Sequence, residues 1–295
     1  MKLNNPFVTA GYVSPDYFCD REYESRQILE AVHAHRNMAV ISMRRMGKTG
    51  LLKHVGFLLN NLRKNKALVY IDLMPTQSAS DLLSTLGTAL INARHKEKNI
   101  IEKIVAVLSS LRPGFTYDNL TGQPSLVFNI ATENDFSMGF RQLLALFDSI
   151  KKELTIVLDE FQQILEYPEN RIENLLRTII QENPQINFIF SGSDKHMMEA
   201  MFSNPTRPFF QSVELMYLGP IATENYRKFI KNHFNAANFD ISETAINRLL
   251  EWCRYHTYYV QHFCNRLFAK AMLKINEETE FSSVSKFSLR MNRYI

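Results

Sequence analysis

"ISMRRMGKTGLL", residues 41–52, is the stretch whose reading decides the fold. It fits the pattern G-x-x-x-x-G-K-[ST] once Ser42 stands at the first glycine, with Met43, Arg44, Arg45, Met46, Gly47, Lys48 and Thr49 behind it. Such a loop turns backbone N–H groups onto phosphate oxygens, sends a lysine to the outer phosphates and offers a hydroxyl to Mg²⁺. Gly47 permits close backbone approach, Lys48 supplies the charge and Thr49 the hydroxyl, so the span Ser42 to Gly50 is the candidate phosphate cradle. Ser42 is the departure, because a Cβ at a position of positive φ costs on the order of 1 kcal/mol. A helix start favours negative side chains, and two arginines with a lysine at this one make physical sense with an anion in place. Arg44 and Arg45 have two readings: they assist the phosphates, or they face solvent or a neighbouring subunit.

The loop has the right surroundings. A buried apolar run, "NMAVIS" (37–42), leads in, and the helical pattern "TGLLKHVGFLLNNLRK" leads out. Similar short apolar runs recur at 67–73, 154–159, 187–192 and 213–218, which suits strands buried on both faces of a parallel sheet. Helical patterns separate them at 48–64, 79–93, 136–152, 169–182 and 194–202, so the chain reads as α/β with right-handed crossovers. Between Arg112 and Ile130, turn residues Asn119 to Gln123 join two β-prone arms, and a protruding hairpin is expected at about 112–130. After Leu218 the strand signals stop. Amphipathic helical stretches follow, with Thr223 and Ser242 as natural N-caps. The expected organisation is a core over 1–218 and an all-helical unit over 219–295 with a loosely held tail.

Bulk properties bound the function. In 295 residues, 45% hydrophobic and 22% charged, a net charge of +4 permits an anionic partner without the concentrated basic stripe of a nucleic-acid module. Three cysteines, Cys19, Cys253 and Cys264, fit no disulfide framework or zinc pattern and point to a reducing compartment, with cytoplasm as the default. The N-terminus lacks the apolar core of a signal peptide, and no apolar run approaches the roughly 20 residues of a spanning helix.

A second constellation is "LTIVLDEFQQI" (154–164), where an apolar strand ends in Asp159-Glu160. A carboxylate pair there needs a cation or donors. Asp159, with Thr49, is the candidate Mg²⁺ holder, and Glu160 the candidate base that polarises attacking water. In chain order a full strand, "ALVYIDL", lies between the loop strand and this one, as in P-loop ATPases with an additional strand and a catalytic glutamate. No N-K-x-D guanine reader occurs, so ATP is favoured over GTP. "FIFSGSD" brings Ser191 and Ser193 to a strand end, where a hydroxyl binds the γ-phosphate or water; alternatively Ser193 or Asp194 caps the next helix. Arg207, before the fifth strand, and Arg177 are candidates to present a guanidinium to the γ-phosphate, in their own site or a neighbour's, with a solvated arginine as the alternative. His256, at the start of the last strong helix, either faces the nucleotide across the domain cleft or packs with Tyr258 and Tyr259.

Taken together, "YFCDREYE", "RRMGKT", "VLDEFQ", "FIFSGS", "RPFFQS" and "HTYYVQ" resemble the archaeal- and bacterial-type P-loop ATPases of the AAA+/STAND assemblage, over about residues 5 to 275. The resemblance implies an ATP-binding core followed by a helical lid, with ATP between them. It implies that Arg21 and Glu22 lie in an N-terminal box near the adenine and that His256 approaches the phosphates from the lid. Asp20 stands where the family has a glycine, and Ser42 where it has the first loop glycine. Relatives usually continue into a winged-helix or effector region, and this chain stops at Ile295.

The expected activity is Mg²⁺-dependent ATP binding and hydrolysis, with ATP and ADP as ligands, in a nucleotide-driven switch. The alternatives are a weakly hydrolysing regulatory module that self-associates, and a nucleic-acid-associated ATPase using the hairpin and the helix at 48–66. A protein partner is not identified by the sequence, and no membrane is involved.

Overall fold

The computed structural model describes residues 3–62, 66–93, 100–111, 113–117, 124–148 and 153–272. The chain forms two compact units. The larger comprises Tyr23–Arg44 and Val55–Leu218, and the other Met1–Glu22, Arg45–His54 and Gly219–Ile295.

The larger unit is built on a parallel sheet of five strands: β1 (Met38–Ile41), β2 (Lys66–Asp72), β5 (Glu153–Asp159), β6 (Asn187–Gly192) and β7 (Glu214–Tyr217), in the order β2-β5-β6-β1-β7. All five lie on the runs expected from sequence. β1 and β6 are buried at every position, as central strands covered on both faces require. Chain order set β2 between the loop strand and the carboxylate strand, but in the sheet β2 takes an edge and β6 intervenes. Ile41 pairs with Gly192, and Leu158 with Phe190, so the ends of β1, β5 and β6 come level.

Among the described residues, the helices of this unit are α1 (Glu22–His33), most of α2 (Lys48–Leu62), α3 (Ala79–Ala93), α4 (Ile100–Val107), α5 (Glu133–Asp148), α6 (Ile172–Glu182) and α7 (Lys195–Ser203). Both α1 and α4 go beyond the helices expected from periodicity. Leucines of α3, phenylalanines of α5 and the isoleucines of α6 fill a continuous core with Phe161, Phe188, Phe190, Phe202 and Phe209.

The hairpin consists of β3 (Gly114–Tyr117) and β4 (Pro124–Val127), antiparallel, with its tip outside the described residues. It lies against α3 instead of protruding. Ser80 Oγ, Ser84 Oγ and Thr88 Oγ1 accept from the amides of Ile130, Phe128 and Leu126 at 2.8, 2.9 and 3.0 Å. Four helical residues rise about 6 Å, and two strand residues about 6.7 Å. A hydroxyl every fourth residue of a helix therefore matches every second amide of a strand.

The other unit has a core of its own, formed by α8 (Thr223–Asn235), α9 (Glu243–Trp252) and α10 (Thr257–Met272) with Phe7 and Cys19 from the N-terminal segment. Phe7 packs against Phe229, Phe234 and Phe268. Ser242 caps α9 by accepting from the Ala245 amide. Thr223 does not cap α8: Ala222 holds that position and Thr223 is the first helical residue. The expected loose tail beyond Met272 lies outside the described residues.

Candidate functional site

The larger unit gathers the strand-end chemistry. Asp159, 2% exposed, ends β5. Its Oδ1 accepts from the Glu160 amide at 3.0 Å and its Oδ2 from the Tyr70 hydroxyl. Tyr70 reaches it because Asp72 pairs with Asp159, and residues two apart on a strand share a face. Glu160 stands in the left-handed region, φ 54° and ψ 45°. Its Oε2 accepts from Gln162 Nε2 at 2.7 Å, Ser193 Oγ at 2.6 Å and the Ser193 amide at 3.2 Å.

At the end of β6, Ser193 binds Glu160, while Asp194 caps α7 by accepting from Met197. Ser191 is fully buried and its hydroxyl has no hydrogen-bond partner among the described residues. Ser42 also belongs here: its amide donates to the Gly192 carbonyl at 3.3 Å, and its hydroxyl to the Met43 carbonyl at 2.9 Å. It is not among the positive-φ residues, so its Cβ carries no backbone strain; Arg45 (φ 64°) and Gly47 (φ 96°) make the turn. Met43 and Arg44 are exposed.

The other unit holds the loop proper. Lys48 and Thr49 open α2, and Lys48 is 5% exposed. Arg45 places its guanidinium 4.4 Å from the centre of the Tyr258 ring. Met46 is buried. Its carbonyl accepts from Arg21 Nη2 at 3.3 Å and Thr257 Oγ1 at 3.1 Å. Arg21 also donates to the Gly219 carbonyl at 2.6 Å. Phe18 stacks on His54 with ring centres 4.4 Å apart, and Gly50 lies beneath Phe18. His256 precedes α10, its ring 4.9 Å from that of Tyr259.

Both arginines proposed for the γ-phosphate serve α6 and the loop before β7. Arg207 pairs with Glu173 at 2.8 Å, and Arg177 Nε donates to the Pro208 carbonyl at 3.0 Å. Burial pushes the Glu173 carboxyl up, and the neighbouring Arg207 opposes that shift.

Sequence reasoning missed Tyr70, Gln162, Thr257 and Glu173. Tyr70 had a signal, being two residues before a strand-end aspartate. The others depend on tertiary placement.

Within the larger unit, the buried Asp159 carboxylate is a hard oxygen donor of the kind Mg²⁺ takes. A buried ammonium at a helix N-terminus suits an anion. An open parallel sheet binds ligands at the carboxyl ends of its strands, and the order β2-β5-β6-β1-β7 sets the Asp159 strand one strand from β1, whose end begins the loop. The fold is that of a P-loop NTPase.

No protein-family model and no curated protein matches the chain; the likeness is to solved structures. A Walker-type ATPase of Pyrococcus abyssi superposes with a TM-score of 0.64 at 18% identity, covering 98% of this chain and 81% of that one. The ORC1 protein of Aeropyrum pernix, solved in complex with DNA, gives 0.63 at 12%, covering 96% and 69%. Domain III of the replication initiation protein DnaA of Thermotoga maritima gives 0.50 at 14%, covering 95% of each chain. At 12–18% identity, these likenesses are likenesses of fold. Among the described residues, no helix is long and apolar enough to cross a membrane.

Proposed function

We propose that the chain is a Mg²⁺-dependent ATPase of the AAA+/STAND kind that acts as a nucleotide-driven switch. The observation that carries this reading is the strand-end pair: a buried Asp159 followed by a Glu160 whose carboxylate is aimed by Ser193 and Gln162. Lys48 neutralises the outer phosphates, and backbone amides of the loop up to Gly50 cradle them. Thr49 and Asp159 hold the metal, which supplies charge neutralisation at the transferring phosphoryl group when bound. Glu160 orients and polarises water. Arg21 acts through the loop backbone, and His256 approaches from the C-terminal helices. The three buried thiols agree with a reducing, cytoplasmic setting.

Lys48→Ala is expected to abolish ATP binding in calorimetry, and Glu160→Gln to keep binding while hydrolysis falls at least about a hundredfold. Wild-type affinity in Lys48→Ala would show that the phosphates bind elsewhere.

One observation favours a second reading, a slow or non-hydrolysing regulatory module that self-associates. Glu160 Oε2 is already engaged by three donors, and Arg207 Nη2 is ion-paired to Glu173, so both groups hold partners within the chain. Turnover measured against protein concentration separates the two. A steep rise marks Arg207 or Arg177 acting on a neighbouring copy, and no turnover at any concentration marks the module.

A further inference from the structure

The turn that precedes α2 is held by its carbonyl groups. Thr257 Oγ1 and Arg21 Nη2 donate to the Met46 carbonyl at 3.1 and 3.3 Å, and the Tyr258 amide donates to the Arg45 carbonyl at 3.2 Å. Thr257 is itself oriented by the buried Tyr226, whose hydroxyl donates to Thr257 Oγ1 at 2.9 Å. The chain has no cis peptide bond among the described residues. In a planar trans peptide the C=O and the following N–H point in opposite directions. Pinning the Met46 carbonyl therefore aims the Gly47 N–H away from α10, and pinning the Arg45 carbonyl does the same for the Met46 N–H. These are successive amides in a turn of alternating handedness, with Arg45 and Gly47 at positive φ, the arrangement that makes an anion-binding concavity.

The geometry points to Arg21, Thr257 and Tyr258 as positioning residues that set two phosphate-binding amides through their carbonyl backs. They touch no phosphate themselves. The inference rests on the nucleotide reading above and adds its regulation. Moving the start of α10 releases both carbonyls and loosens the cradle, and by reciprocity a bound phosphate favours α10 in the position described.

Thr257 gives the cleanest test, because Thr257→Val keeps the shape and removes the donor, while Thr257→Ser keeps the donor. In the full chain, Thr257→Val is expected to weaken Mg·ADP binding about five- to tenfold, the size of a lost hydrogen bond, and Thr257→Ser to stay within about twofold of wild type. With ATP, the loss should fall on KM with kcat at saturation nearly unchanged. Tyr226→Phe, which removes the hydroxyl orienting Thr257, should shift affinity the same way by less, and it decides the matter if Thr257→Val does not fold. If wild type binds Mg·ADP and neither Thr257→Val nor Tyr226→Phe changes its affinity, the positioning role is overturned alone. If wild type binds no adenine nucleotide, the functional reading falls with it.

Discussion

Glu160 adopts a left-handed conformation that costs a non-glycine residue on the order of 1–3 kcal/mol and persists only when its surroundings fix it. Its three donors do the fixing, and two belong to Ser193, whose backbone is set by β6. Ser193→Ala removes the shortest contact and keeps the amide. Its expected signature is kcat lowered about tenfold with nucleotide affinity unchanged; a faster enzyme would mean instead that Ser193 restrains the carboxylate. Asp20 shows the same economy. It stands where the resembled family has a glycine, and its φ of 58° explains why a glycine suits that place. Aspartate is among the few other residues that visit this region readily. Arg21 follows at φ 71°, turned so that its guanidinium meets Met46 and Gly219.

Elements differ in how openly the sequence announces them. The central strands stood out because burial on both faces leaves an unbroken apolar run, and the edge strands β2 and β7, though less buried, carry short apolar runs as well. The phosphate loop and the Asp-Glu pair were legible because their chemistry is local in the chain. Helix α1 was not, since it buries only Ser25, Ile28, Ala31 and Val32 beneath a largely charged surface. Sheet order was hidden too, because spatial neighbours β1 and β6 are far apart in the chain. The docking of the hairpin was written in Ser80, Ser84 and Thr88, hydroxyls that in isolation read as ordinary helix surface. Replacing Ser84 by Ala should leave α3 intact and speed hydrogen exchange at Phe128 about tenfold, the equivalent of one backbone partner lost. The end of β6 tolerates less. A Cβ at Gly192 would sit 2.4 Å from Met198 and 2.5 Å from Gln162, and Gly192→Ala is expected to lower stability by about 1–3 kcal/mol in denaturant titration.

At the scale of the whole molecule, acid should act first on the smaller unit. His54, His233 and His262 all belong to it, and burial is the main cause lowering each below the ordinary 6.5. As pH falls through 6.5, the unfolded chain takes up these protons before the folded one does, so stability is lost on the acid side and is full above it. Thermal unfolding followed from about pH 7.5 to about pH 5.5 should show a falling midpoint for this unit. Substituting the three histidines by Gln should flatten that fall.

That unit is also assembled from three separated segments, and Phe7 waits on Phe268 while Asn265 donates to the Phe7 carbonyl at 2.7 Å. A ribosome adds roughly 5–20 residues each second, so tens of seconds pass between making Phe7 and making its pocket. The sheet can close first, but the loop segment Arg45–His54 shares a unit with helices that emerge last. A nascent chain therefore carries the phosphate loop in its sequence long before it carries Thr257 to hold the loop's carbonyls, and on the proposed reading nucleotide capture would wait for α10.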